Sequence, residues 1–484
     1  MIRKSVDEFS SEVYSGFWHV PGDKNESPGV LDIGSNTHLR LRIEHHACAE
    51  LLLAQRVSVI YGFCDGNKRV VLLDSVRTHN SKSLSAKVDG DAYFKATFEP
   101  LEAWIGDLYF SCKEDIAFDK VQFRITNLEN WKDTVKNFSV ASNPDVIRHT
   151  LPDDVLVYDD DFVNIKCSYE SQLTVAYNKS SVGHCPFVSI VSKHGKLRFY
   201  GDKPSFIYYC KVIATILGLM IGKRAAVYDV HGFVNIEEPF GSLETRHIWR
   251  HEFPSETTQI LYGQEMYLPA EAVQAFLPSI VRNFIELGDA VLDIASRLLY
   301  LRNCKIATEP WIVPELVFMF EGLQRVLCAQ GNIAELKTLQ GYLEYSKCKA
   351  QVLKLLYGNE MLCKWVDRNL NYKLPKMAKR FLIARDNLIG IFPLLKNADQ
   401  FVEFVDYLLK IRDGHAHSEL KSSNRAAMCL PSRFWLEGFL TAMIFNACGV
   451  PGRMIYDGLR RVGDFRWAIG CYKKEFAIVD DDWE

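Results

Sequence analysis

The stretch KIRDGHAHSEL, residues 410–420, sets two histidines one residue apart behind an Arg-Asp-Gly step. Imidazole titrates nearer neutral pH than any other unperturbed side chain, so it is a common carrier of protons in catalysis. Beyond His251 the only histidines are His415 and His417, and imidazole chemistry in the C-terminal half rests on these two. Arg412 adds a permanent cation whose planar fork of donors suits a phosphate, or the charge growing on one in a transition state. An arginine and a histidine together suit phosphodiester cleavage. Asp413, four residues before His417, would share a helix face with it and could hold its ring in one tautomer. On one unbroken helix Arg412 and His417 would lie roughly 140° apart. Both can reach a single phosphate only if Gly414 breaks the helix or a second copy of the chain contributes. The same residues also fit a polar helix end whose histidines cap carbonyls. Their context favours chemistry: they end an apolar helix in a region otherwise empty of histidine.

The element that must carry them is FVEFVDYLLKI, in which Phe401, Phe404, Val405, Leu408, Leu409 and Ile411 recur at helical spacing and should face a core. Further helical runs surround it. From Ala270 onward, AEAVQAFLPSIVRNFIELGDAVLDIASRLLYLR reads as one long amphipathic run, followed by WIVPELVFMFEGLQRVLCAQ, PKMAKRFLIARDNLIGIF and PSRFWLEGFLTAMIFNAC. Residues 346–385 carry ten basic side chains: Lys347, Lys349, Lys354, Lys364, Arg368, Lys373, Lys376, Lys379, Arg380 and Arg385. Only Glu360 and Asp367 oppose them. Interleaved with Tyr357, Trp365 and Tyr372, this is what a surface facing nucleic acid would use, and equally what a solvated helix face looks like.

The first 200 residues have a different texture. GVLDIG, HLRLRIE, RVSVIYGF, KRVVLLDSV, YFKATF, DKVQFRIT, FVNIKCSYE and QLTVAYN are strand-like segments separated by Gly, Asn and Asp. Without regular helix-strand alternation, an antiparallel sandwich or barrel fits better than a doubly wound sheet. The fold class is therefore α+β. A mostly antiparallel β domain spans 1–200, a mixed annex with one long helix spans 201–269, and an all-α region spans 270–484.

Composition narrows the function classes. A net charge of −3 gives no global pull toward nucleic acid or membrane, so local patches must carry any electrostatic case. The amino terminus lacks the apolar core of a secretory signal, and the chain is expected in the cytoplasm with its 13 cysteines reduced. FIYYCKVIATILGLMI, interrupted by Lys211, is shorter than the roughly 20 residues of a membrane span and reads as a buried helix. His247 and His251 could share a helix face as metal ligands do, but no further ligand lies at the usual short spacing. Asp159, Asp160 and Asp161 could hold a hard cation, though a solvated acidic turn is the stronger reading. GLMIGKR has three residues between its glycines and no Ser/Thr after Lys, and fails as a phosphate loop. No metal or other cofactor is expected.

Arg412-Asp-Gly-His-Ala-His417 resembles the R-x4-6-H signature of HEPN domains, and the surrounding helices fit their small bundle. SGFWHVPGDKNESPGVLDIGSNTHLRLRIE, with KVQFRITNLENW ending at Trp131, resembles the N-terminal domain of ApeA-type proteins, bacterial antiphage factors that couple such a domain to a C-terminal HEPN module. The resemblance implies a metal-independent endoribonuclease acting in abortive infection. Arg412, Asp413 and His417 would be its catalytic positions, with cellular RNA such as tRNA as substrate. It also implies a homodimer or higher homo-oligomer, whose site forms where two copies of the motif meet. His415 is a departure from the signature and leaves two candidates for the proton carrier. The N-terminal half, a β-rich domain without a motif for chemistry, reads as a sensor of a phage-encoded trigger protein. On that reading a chain beginning near Ala270 should be more toxic than the whole. The alternative is a non-catalytic HEPN scaffold that binds RNA or a partner protein through the same basic surface.

Overall fold

The computed structural model describes residues 12–23, 25–34, 38–44, 54–81, 95–131, 154–176, 179–235, 242–249, 266–302, 311–331, 351–355, 359, 361–363, 376–388, 398–416 and 423–475. The chain divides into two compact units, one of Met1–Ala214 with Ala225–Leu261, the other of Thr215–Arg224 with Tyr262–Glu484.

The first unit is built on a closed antiparallel barrel of six strands: β1 (Glu12–His19), β2 (Ser27–Ile33), β3 (Leu39–Glu44), β4 (Arg56–Cys64), β5 (Lys68–Ser81) and β6 (Lys95–Glu99). β1 pairs with β2, β2 with β3, β3 with β6, β6 with β5, β5 with β4, and β4 with β1 again. Closure leaves no free edge among these six. Alternate residues fill the interior, including Trp18, Leu31, Leu41, Ile60, Leu72 and Phe98. Gly62 is placed by that filling: a Cβ there would lie 2.4 Å from the Trp18 ring, so only glycine leaves room for the indole.

β5 is long enough to pair twice, and its second neighbour, β7 (Glu102–Gly106), begins an open antiparallel sheet. The order continues through β15 (Ser242–Trp249), β14 (Val227–Asn235), β9 (Lys120–Ile125), β12 (Lys179–Ser192), β11 (Val163–Ala176) and β10 (Val155–Asp159), while the short β8 (Ala117–Phe118) and β13 (Leu197–Arg198) pair with each other. The antiparallel expectation holds. Val163–Ala176, which takes in most of FVNIKCSYE and the start of QLTVAYN, is one continuous strand, β11, whose 14 residues all pair with β12. RHIWRH contributes to a strand, β15, so the helical spacing that would pair His247 with His251 is not realised, and His251 lies outside the described residues.

Helix α1 (Phe206–Ile221) is the expected buried apolar segment, and among the described residues no helix is long and apolar enough to cross a membrane. It ends at Gly222, whose φ of +85° and bond to the Gly218 carbonyl (2.8 Å), with Lys223 on the same carbonyl (3.1 Å), form a C-terminal cap. GLMIGKR is thus a helix end.

The second unit is helical: α2 (Leu277–Glu286), α3 (Asp289–Arg302), α4 (Ile312–Ala329), α5 (Lys376–Leu388), α6 (Ala398–Ala416), α7 (Ser423–Ala447), α8 (Gly452–Arg461) and α9 (Gly463–Glu475). The long run read from Ala270 is cut between α2 and α3 at Gly288, where φ is +82°. Conversely, α7 begins well before Pro431 and keeps that proline inside it. Its core is aromatic. Phe320 stacks on Phe381 (3.7 Å between centroids), Trp435 on Phe439 (4.8 Å), and Phe404 meets both Trp435 and Tyr472 edge-on at 4.5 Å. A buried ion network crosses it: Glu437 accepts from Arg433 (2.8 Å) and Arg302 (3.4 Å), while Arg433 also donates to the Leu301 carbonyl at the end of α3 (2.7 Å).

Candidate functional site

The α6 stripe packs as its spacing requires. Phe401, Phe404, Val405, Leu408, Leu409 and Ile411 are all buried, which fixes the rotation of the helix and sets Arg412 half-buried next to the core. The backbone stays helical through Asp413, Gly414 and His415 to Ala416. Gly414 is therefore not the break that would bring Arg412 and His417 to one side. The side chains of Asp413 and His415, and His417 entirely, lie outside the described residues.

Two members of the basic run have partners within the bundle. Arg380 pairs with Glu321, which also holds Arg325 at 2.6 Å. Arg385, also on α5, is buried with its guanidinium 6.0 Å from the Phe401 ring of α6 and 3.4 Å from Asp386. Neither belongs to an open cationic face, whereas Lys354 is exposed. The side chains of Lys347, Lys349, Lys364, Arg368, Lys373, Lys376 and Lys379 lie outside the described residues.

The acidic run is a hairpin turn between β10 and β11. One carboxylate oxygen of Asp160 accepts from the amides of Phe162 and Val163 (2.8 Å each), and the other from Tyr158 and Tyr209 (3.0 Å each). Asp159 pairs with Lys193 at 3.0 Å. With its lone pairs committed to protein donors, Asp160 serves the turn rather than a cation.

Spacing gave no sign of a buried polar cluster in the first unit, because its members are far apart in sequence. Glu102 on β7 meets His247 on β15 at 3.3 Å, Lys113 at 2.7 Å, and the Tyr200 hydroxyl. Trp104 stacks on the His247 ring at 4.1 Å. Burial alone would raise the Glu102 carboxyl, but His247, Lys113 and Tyr200 outweigh it and hold it at about 2. Burial keeps His247 below its ordinary range against the pull of Glu102. A carboxylate that acidic is a poor general base at neutral pH, and the His247 side chain is 0% exposed. The cluster is structural.

A second group faces solvent on the same sheet. His231 donates or accepts at both ring nitrogens, to Glu244 (2.6 Å) and Asp229 (3.0 Å), and Asp229 also faces Arg124 (3.2 Å) and Arg246 (3.6 Å). Burial would lower His231, but the two carboxylates outweigh it and raise its pKa. Because the acids occupy opposite ring nitrogens, they clamp the imidazole between them and do not converge on a common point. Among the described residues no cluster of His, Cys, Asp and Glu could hold a metal ion.

A family model described as ApeA N-terminal domain 1 matches residues 13–276, rather more than half of the 484. No curated protein and no solved structure matches the chain.

Proposed function

Since the chain belongs to the ApeA N-terminal domain family, and so is an ApeA-like antiphage defence protein, we propose that its helical unit is a metal-independent HEPN endoribonuclease that cuts cellular RNA, tRNA among it, after a phage-encoded trigger engages the N-terminal unit. The observation that carries this reading is α6. An amphipathic helix seated by its apolar stripe leads Arg412, half-buried, toward the Asp413 to His417 segment of the signature. With Gly414 helical, two motifs facing each other across a homodimer are the simplest way to assemble arginine and histidine on one phosphate.

The reaction follows from the side chains. The ribose 2'-OH attacks the adjacent phosphorus while an imidazole, assigned to His417, removes its proton. The P–O5' bond breaks as the leaving oxygen takes up the proton that the imidazole has removed, and Arg412 offsets the charge on the phosphoryl oxygens. Asp413 orients the ring. The products are a 2',3'-cyclic phosphate and a 5'-OH, and DNA, lacking the 2'-OH, is not cut. The test is cleavage of total cellular RNA by the full-length protein and by His417→Ala, in chelator, with and without phage lysate.

A further inference from the structure

The C-terminal helices present a second cationic surface, separate from Arg412. Residues 460–467, RRVGDFRW, hold three arginines and a tryptophan against one aspartate, in a chain whose net charge is negative. They form the corner between α8 and α9. α8 turns Ile455, Gly458 and Leu459 inward, and Gly458 lies so close to the Tyr267 carbonyl that a Cβ would sit 2.2 Å from its oxygen. α9 turns Phe465, Ala468, Ile469 and Tyr472 inward. The rotation of both helices is thereby fixed, and Arg461, Arg466 and Trp467 are left exposed.

Trp467 is 48% exposed, its ring braced edge-on by Phe434 at 6.2 Å. Among the described residues neither Arg461 nor Arg466 has an ion pair. Arg453, at the start of α8, reaches Asp457 only at 3.9 Å. A large indole facing water, next in the chain to Arg466 and across the α8–α9 corner from Arg461, with Asp464 the one acid among them, matches a strand with an anionic backbone and flat bases: the ring stacks, the cations neutralise phosphates. A protein partner is less well matched, since the exposed described residues within about a turn of Trp467 on α9 are Gly463, Asp464, Arg466 and Gly470, none of them a large apolar side chain. Phe404 and Trp467 contact adjacent positions of α7, Trp435 and Phe434. Arg412 lies eight residues beyond Phe404, about 12 Å along the α6 axis at 1.5 Å per residue.

We propose that this corner docks single-stranded nucleic acid, with a base stacked on Trp467 and flanking phosphates held by Arg461 and Arg466. In taking that strand to be RNA it rests on the ribonuclease reading. The full-length protein carrying His417→Ala, which leaves the probe intact, is titrated with a short labelled RNA of mixed sequence, and with the matching DNA, over a range of salt. Both probes should bind. The double variant Arg461→Ala/Arg466→Ala should weaken binding and make the salt dependence shallower by about 1.4, at about 0.7 per phosphate contact on a single strand. Trp467→Leu should cost about tenfold in affinity with the salt slope unchanged. Arg325→Ala, an exposed arginine already paired with Glu321, should change neither, and thermal melting should show all variants folded. No binding by the parent protein, or a double variant with the parent's affinity and slope, overturns the proposal and leaves the corner as a protein-docking surface. Failure of the ribonuclease reading would appear separately, as RNA bound with these same shifts but never cut by the unsubstituted chain.

Discussion

His415 and His417 are two imidazoles of which one cleavage mechanism needs a single proton carrier per motif. The signature spacing assigns it to His417, and His415→Ala is the matching control. These positions stand out in the sequence as candidates because histidine is otherwise absent from the helical half. Glu102, Lys113, Tyr200 and His247 do not, because a cluster assembled from β7, β15 and two loops leaves no local pattern. It does have a measurable consequence. Glu102 sits at about 2 against an ordinary 4.5, so its contribution to stability is complete above pH 4.5 and is lost as pH falls toward 2. His247, held neutral by burial, acts in the same direction below its ordinary 6.5. His231, raised by Asp229 and Glu244, acts oppositely, its contribution fading as pH rises past 6.5. Glu102→Gln should therefore lower stability at pH 7 by on the order of 2–3 kcal/mol. Urea unfolding at pH 7 and at pH 3 should show the gap between variant and parent narrowing in acid. A constant gap would mean the carboxylate charge contributes nothing.

The elements were legible where their periodicity was clean. α6 shows this best, since each of its six stripe residues is buried. β7 went unread because EAWIG is buried at all five positions, so no alternation marks it. The break between α2 and α3 was hidden because apolar spacing continues across Gly288, and only its positive φ ends the helix. Gly414 is the opposite case: a residue that could break a helix, in one that continues past it. Gly414→Ala should accordingly stabilise α6 by about 1 kcal/mol, the usual difference between the two in a helix interior. A rise in melting temperature with RNA cleavage retained is the expected outcome. Loss of cleavage in a more stable variant would mean that the site needs a bend at this glycine.

At the scale of the molecule, the second compact unit draws on two stretches of chain. Thr215–Arg224 and the residues from Tyr262 belong to it. Thr215 bonds Ser296 at 3.2 Å, Leu268 donates to the Met220 carbonyl at 2.9 Å, and the Arg302 guanidinium lies over the Tyr267 ring at 5.0 Å. A chain beginning at Ala270 omits Thr215, Met220, Tyr267 and Leu268. It should be digested by low protease concentrations that leave the same helices intact in the full-length protein; equal resistance would show that those contacts are dispensable. The proposed restraint by the N-terminal unit is therefore best examined in the intact chain, and so is the proposed chemistry. The decisive measurement is the end-group analysis of total cellular RNA treated with full-length protein and phage lysate in excess EDTA, beside His417→Ala and His415→Ala. The account predicts fragments ending in 2',3'-cyclic phosphate and 5'-OH from the unsubstituted protein and from His415→Ala, none from His417→Ala, and little without lysate. Cleavage that survives His417→Ala, that requires magnesium or manganese, or that fails to occur under any of these conditions would contradict it, the last in favour of a non-catalytic scaffold.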